Sequence, residues 1–393
     1  MTAEPRRVVV TGIGVVSSIG IGVDEFTAAL RAGRSGARPI TLFDVSSTDR
    51  RMGCEVDDSV FEVAPGPSRA AGFAVLASLE AARQARLEAP ASRGIVAVGT
   101  TDGCAYEFEA ALAGPSPQVE HPTHSSSMLP EAVADALGLT GEVECLTIGS
   151  ACAAGNYALT YAFDCLQMGD ADYAVIGGAD AMARKTFLGF DRLGSIAAEA
   201  CRPFDLDRDG ILTGEGAGML VLETLEHATG RGAPILVEMR SGALTCDADH
   251  AVVPNRQSLR RCMDLALRRA DLRPDEISLI SAHGTGTRLN DSTETAAVKD
   301  VYGANVPPTI SIKSMLGHTM GAASAIAACA AVLAITDGFI PPTINFRRPD
   351  PDCDVDCVPN QSRPARVTAV QNNSAGFGGN NCVTIFTELA EAR

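Results

Sequence analysis

The sequence predicts an α/β fold assembled from two similar halves, and three observations carry that expectation. Short apolar, β-branched runs alternate along the chain with Ala/Leu-rich stretches of helical length. No long linker or low-complexity tract interrupts the 393 residues, a length that can bury a large core. One arrangement also occurs twice. Thr147-Ile148-Gly149-Ser150-Ala151-Cys152 runs into an Ala-rich helix ending near Gly169-Asp170, and Lys313-Ser314-Met315-Leu316-Gly317-His318 runs into another ending near Asp337-Gly338. Each half then delivers one reactive side chain at the start of a buried, small-residue helix, and two facing halves bring Cys152 and His318 together.

The apolar runs place strands at Arg7–Thr11, Ile95–Gly99, Tyr173–Gly177, Gly218–Glu223, Ile235–Met239, Ile277–Ala282, Thr309–Ile312 and Cys382–Thr387, with Val367–Val370 strand-like. The Ala/Leu-rich segments place helices at Val23–Ala32, Ala70–Ala85, Leu129–Leu137, Ala153–Gln167, Arg256–Ala270, Ser292–Tyr302 and Gly321–Thr336. Gly12-Ile13-Gly14-Val15-Val16-Ser17 follows the first strand but lacks the third Gly/Ala of a dinucleotide-binding loop. The uncharged run Gly321 to Ile335 is short and Ala-rich, which suits a core helix better than a membrane span.

Composition narrows the function. A formal charge of −16, with no Lys/Arg run longer than a pair, argues against a nucleic-acid partner. Twelve cysteines are scattered from Cys54 to Cys382 without framework spacing, as expected of reduced thiols in a cytoplasmic protein. The Cys353/Cys357 pair has no second pair at zinc spacing, and His121 with His124 is similarly unsupported, so no metal site is expected. Arg6 and Arg7 before an apolar run loosely mimic a signal peptide. However, Val8 to Gly12 reads as a buried strand, and no small-residue cleavage site follows.

Three residues stand out chemically. Cys152 sits at a strand-to-helix junction among Ser150, Ala151, Ala153, Ala154 and Gly155. The helix terminus lowers a thiol pKa, and small neighbours let a thioester approach the backbone. A buried packing cysteine is the competing reading. His283 closes a strand and opens the loop Gly284-Thr285-Gly286-Thr287, where hydroxyls and open amides meet a proton-transfer group. His318 follows Lys313 by five residues, again at a terminus. Gly376-Phe377-Gly378-Gly379-Asn380-Asn381 places glycines around one aromatic, a backbone able to turn an amide toward an oxyanion; a simple turn is the alternative.

Taken together, these segments resemble the elongating beta-ketoacyl-acyl-carrier-protein synthases of the thiolase superfamily, over nearly the whole chain. The resemblance runs through Val9–Gly14, Ser150–Gly155, Gly177–Asp180, Arg202–Asp205, Arg208–Gly210, Gly214–Gly218, Ala282–Thr287, Lys313–His318 and Gly376–Gly379. It implies a thiolase-like fold, two duplicated halves (residues 1–232 and 233–393) in a layered αβαβα core. It implies that Cys152 takes an acyl chain from a carrier-protein thioester and that His283 and His318 stabilise the enolate left when malonyl-carrier protein loses CO2. The amides of Cys152 and Phe377 form the implied oxyanion hole. Lys313, with Glu294 as a second auxiliary group, tunes the electrostatics near His283, and Thr285 and Thr287 contact the phosphopantetheine arm. No cofactor is implied; the expected partners are acyl carrier protein and a second or related subunit.

The chain departs from that pattern at points near the implied site. Ala327 stands where the family usually has a glutamate, Ala375 where an aromatic precedes Phe377, and Asp102 where an aliphatic lines the acyl pocket. These departures point to a specialised pathway and a pocket not built for long saturated chains. Two other activities remain open on the same fold: a partner subunit resembling a chain-length factor, and an acyltransferase or decarboxylase.

Overall fold

The computed structural model describes residues 5–58, 68–88, 92–112 and 125–389; His121 and His124 lie outside them. Ten strands follow one another in a single hydrogen-bonded path, and the path reads as two copies of one five-strand pattern. At one end Val143–Gly149 pairs in parallel with Gly94–Thr100, and that strand in parallel with Tyr173–Asp180. Two antiparallel neighbours follow, Gly216–Thr224 and Val8–Ser17. From the other end the same order recurs: Thr309–Ile310, Leu279–Ser281 and Ala369–Gly376 are parallel, and Asn380–Thr387 and Val237–Cys246 add on antiparallel. The copies meet in a short antiparallel pairing from Val8↔Met239 to Val10↔Val237.

Helices Ala154–Met168 and Ala323–Asp337 touch strands of both copies and each other, so they form the middle layer. They cross where Gly155 meets Ala325; a methyl on Gly155 would stand 2.9 Å from the Ala325 Cβ. Helix Arg69–Ala85 covers the outer face of the first copy, and Arg256–Ala270 that of the second, giving the layers αβαβα. Thirteen of the fifteen residues of Ala323–Asp337 are buried, so its apolar character needs no stripe. The 18-residue stretch Met320–Asp337 is apolar enough to cross a membrane, yet 89% of it is buried inside the protein, as expected for a core helix.

The first strand is twice its expected length, Val8–Ser17. Its glycines, expected to follow the strand, lie within it and under helix Arg69–Ala85: a methyl on Gly12 would stand 2.0 Å from the Ala81 carbonyl oxygen, and one on Gly14 1.9 Å from that of Ala77. Only glycine lets the helix approach this closely. Helices Ala105–Leu112 and Arg184–Arg192 were not anticipated, and strand Val143–Gly149 was expected only as the unbounded approach to Cys152. The strand sits at the sheet edge, where half-exposed residues blur an apolar run.

Candidate active site

The strand Val143–Gly149 ends at a sharp junction. Ala151 adopts φ +46°, left-handed for a residue with a Cβ, and opens a single 3-10 turn, Ala151–Ala153, before helix Ala154–Met168. Such a residue costs about 1–2 kcal/mol, so packing must hold it. The backbone of Gly376 does so: a methyl there would lie 3.3 Å from both the Ala151 Cβ and the Cys152 amide nitrogen. Cys152 is thereby presented at the helix start, buried.

The second half repeats the junction with one difference. Met320 has φ +48° and opens the 3-10 turn Met320–Ala322 before helix Ala323–Asp337. The residue equivalent to Cys152 is therefore Gly321; His318 lies three residues earlier. The duplication is real, but the expected match of Cys152 with His318 is off by that interval, because the histidine belongs to the approach and the cysteine to the turn itself.

Cys152, His283 and His318 nevertheless line one cavity of about 160 Å³, together with Thr285, Thr287, Ala375 and Phe377. The two imidazoles stand edge to face, centroids 5.4 Å apart at 80°. The Met320 amide donates to His318 Nδ1 at 3.2 Å, which assigns the proton of a neutral His318 to Nε2. Burial first, then the charge of Lys313, holds both imidazoles well below the usual histidine range, with His318 adding to the effect on His283. Both rings are neutral N–H donors at physiological pH.

Around His283 the auxiliary residues grip backbone. Glu294 accepts from the amides of His283 (2.8 Å) and Gly284 (2.9 Å) and from Asn373 Nδ2 (3.1 Å). Lys313 Nζ donates to the His283 carbonyl at 2.6 Å, and burial lowers its pKa. The Thr285 and Thr287 hydroxyls are 2.9 Å apart on the cavity wall. Phe377 is 38% exposed and packs on Phe190, centroids 5.4 Å apart, so it sits at the cavity's solvent side.

Two expectations change. Burial pushes the Cys152 thiol up to about 12; the Lys313 charge pulls the other way, and the carboxylates of Asp180 and Asp102 reinforce the rise. The resting thiol is therefore protonated, where the helix terminus alone suggested a lowered pKa. Asp102 does not line the Cys152 cavity. It borders a second one of about 460 Å³ with Phe108, Ser126, Thr147 and Gly149, because Lys185 Nζ (2.6 Å) and Thr186 Oγ1 (2.7 Å) both donate to its Oδ1 and draw the carboxylate aside. Its Oδ2 is buried without a hydrogen-bond partner.

Sequence reasoning missed Asp291, a fully buried carboxylate that accepts from the amides of Thr285 (2.9 Å), Gly286 (3.2 Å) and Phe204 (3.0 Å); burial pushes it up to about 6. An acidic residue in the first turn of helix Arg288–Tyr302 was the available signal. It also missed Phe190, which carries no motif. Among the described residues no three of the side chains His, Cys, Asp and Glu group to hold a metal ion, and Cys353 and Cys357 are free buried thiols.

Comparison with known proteins agrees across the chain. Residues 5–228 match the beta-ketoacyl synthase N-terminal domain and residues 236–347 its C-terminal domain. The 3-oxoacyl-[acyl-carrier-protein] synthase 2 of Synechocystis sp. is 39% identical, covering 98% of each chain. Among solved structures, the ishigamide ketosynthase/chain length factor is 48% identical with a TM-score of 0.93, covering 98% of this chain and 100% of its own. A type II PKS ketosynthase, bound to the hexaketide and in complex with its acyl-carrier protein, is 32% identical with a TM-score of 0.90 and the same coverage. Matches of this extent, in sequence and in backbone, make the chain a member of the beta-ketoacyl synthase family.

Proposed function

We propose that the protein carries out decarboxylative Claisen condensation, joining an acyl group held on Cys152 to malonyl-acyl carrier protein to give 3-oxoacyl-acyl carrier protein. The observation that carries this reading is the meeting of one buried thiol and two neutral imidazoles in a single cavity. In the first half-reaction the Cys152 sulfur bonds to the acyl carbon, the carrier's C–S bond breaks, and the thiol proton passes to the departing carrier sulfur. No net proton is consumed, which suits a thiol that rests protonated. Cys152 and Phe377 amides are assigned to the oxyanion; the close approach of Gly376 to the Cys152 nitrogen supports the pairing.

In the second half-reaction the malonyl C–CO2 bond breaks and its electron pair becomes an enolate. His283 and His318 donate to the enolate oxygen, a role that neutral N–H groups fill without themselves losing a proton. The enolate carbon then bonds to the acyl carbon as the bond to the Cys152 sulfur breaks, and the departing thiolate takes up one proton from solvent, which restores the resting thiol. Electrons balance without a redox cofactor. Glu294 and Lys313 hold the His283 backbone, while Thr285 and Thr287 meet the phosphopantetheine arm. On this reading residues 1–232 supply the nucleophile and 233–393 both histidines.

The relatives' assemblies support acyl carrier protein as the substrate-bearing partner, and a second copy or a related subunit as the dimer mate. We place the enzyme in the cytoplasm, in a specialised polyketide or fatty-acid-like pathway. The test is to mix purified protein with acyl- and malonyl-carrier proteins and weigh the carriers. A 3-oxoacyl-carrier product is expected. Acyl exchange alone would mark an acyltransferase, loss of CO2 alone a decarboxylase, and no turnover without an added ketosynthase a partner subunit.

A further inference from the structure

Asp180 ends strand Tyr173–Asp180 and is completely buried between the two junctions. Each of its oxygens takes two donors. Oδ1 accepts from the Thr100 hydroxyl and the Asp102 amide (2.9 Å), and Oδ2 from the amides of Thr101 (2.8 Å) and Gly321 (2.6 Å). The four donors favour the carboxylate; burial and the neighbouring Asp102 raise its pKa against them. The fit is tight: a methyl on Gly321 would lie 2.6 Å from the Thr100 backbone, and one on Gly178 would lie 2.6 Å from the Gly321 carbonyl oxygen.

The Gly321 amide is the counterpart of the Cys152 amide under the internal duplication. In the first half that amide borders the substrate cavity; in the second its counterpart is already bound to an internal carboxylate. The consequence falls on His318. Gly321 follows Met320, whose left-handed backbone is strained, and Met320's own amide is the donor to His318 Nδ1. We propose that Asp180 is a positioning residue for His318: by holding the Gly321 amide it fixes the Met320 turn, which in turn keeps the His318 proton on Nε2 and the ring in place. This rests on the reading that His318 stabilises the enolate.

Asp180→Asn preserves size but replaces one acceptor oxygen with a donor. Whichever way the amide turns, at least one backbone N–H, of Gly321 and Thr101 or of Asp102, faces another donor. The expected result is a fall of about tenfold or more in malonyl-carrier decarboxylation, with Cys152 acylation changed by less than about threefold. His318→Ala is measured beside it. If His318→Ala itself spares decarboxylation, the underlying assignment of His318 fails, whatever Asp180→Asn does. If His318→Ala abolishes decarboxylation while folded Asp180→Asn matches wild type, or loses acylation equally, the positioning role is overturned. The double variant is expected to be no slower than His318→Ala; additive losses would place Asp180 on another route. Should Asp180→Asn not fold, Thr100→Val, which removes the hydroxyl on Oδ1 and with it the acceptor of the Gly103 amide, decides: a smaller loss confined to decarboxylation supports the role, and unchanged decarboxylation overturns it.

Discussion

Removing the His318 ring tests how the site divides its labour. The Met320 amide leaves the proton of neutral His318 on Nε2, and burial with Lys313 keeps the ring from a second proton. A preorganised donor of this kind, lost from a site where charge develops, costs about 2.7–4 kcal/mol, or roughly 10²–10³ in rate. His318→Ala should therefore slow decarboxylation of malonyl-carrier protein by that factor. Acylation of Cys152 involves no enolate and should stay within about tenfold, since only packing around the thiol is disturbed. His318→Gln is the informative companion. Its amide nitrogen falls near the place of Nε2 and can donate, so it should recover at least about tenfold over the alanine variant. Single-turnover experiments that quantify acyl-enzyme by intact mass and acetyl-carrier product by chromatography separate the two steps. Equal losses in both steps would show that His318 is not an enolate-specific donor, as would a glutamine variant no better than alanine.

Two further outcomes follow from the same geometry. Because both histidines have depressed pKa values in the fold, the unfolded chain binds more protons as pH drops below about 6.5, and stability falls by about 1.4 kcal/mol per pH unit for each ring. Urea titrations at pH 7.5 and 5.5 should show wild type losing up to that much more than His318→Gln; the raised carboxylates of Asp180 and Asp291, present in both, cancel in the difference, and identical pH dependence would contradict neutral burial. Asp102 borders a cavity separate from that of Cys152, its Oδ1 held by Lys185 and Thr186. Asp102→Ile should therefore leave the ratio of long saturated to short acyl-carrier loading within about threefold; a shift of about tenfold toward long chains, near the worth of two methylenes at ~0.8 kcal/mol each, would put the acyl tail beside Asp102 and contradict that placement.

The residues legible in the sequence were those in short unbroken motifs at strand-to-helix junctions, where a Gly/Ala-rich context isolates one reactive side chain. Cys152, His283 and His318 were of that kind, and they meet in one cavity. Carboxylates that work by gripping backbone were not legible. Asp180 binds Gly321 from 141 residues away, and no periodicity connects them. Asp291 holds the His283 loop in the same manner, through amides that every sequence possesses; Glu294 was named only through the resemblance, and its grip on the His283 and Gly284 amides is likewise a matter of the fold. The offset between Cys152 and Gly321 also escaped, since it depends on which residue turns left-handed, and neither Ala151 nor Met320 advertises a positive φ. Burial set the thiol pKa against the helix terminus, a balance that requires the packed structure.

The proposed chemistry runs through one sulfur, which carries the acyl chain. Incubation of the protein with an acyl-carrier thioester, followed by intact-mass measurement, should show wild type gaining one acyl group. Cys152→Ala should gain none while melting as wild type does, because alanine suits the turn Ala151–Ala153. Acylation of the variant at the wild-type rate, on any of its eleven remaining cysteines, would show that another sulfur carries the chain.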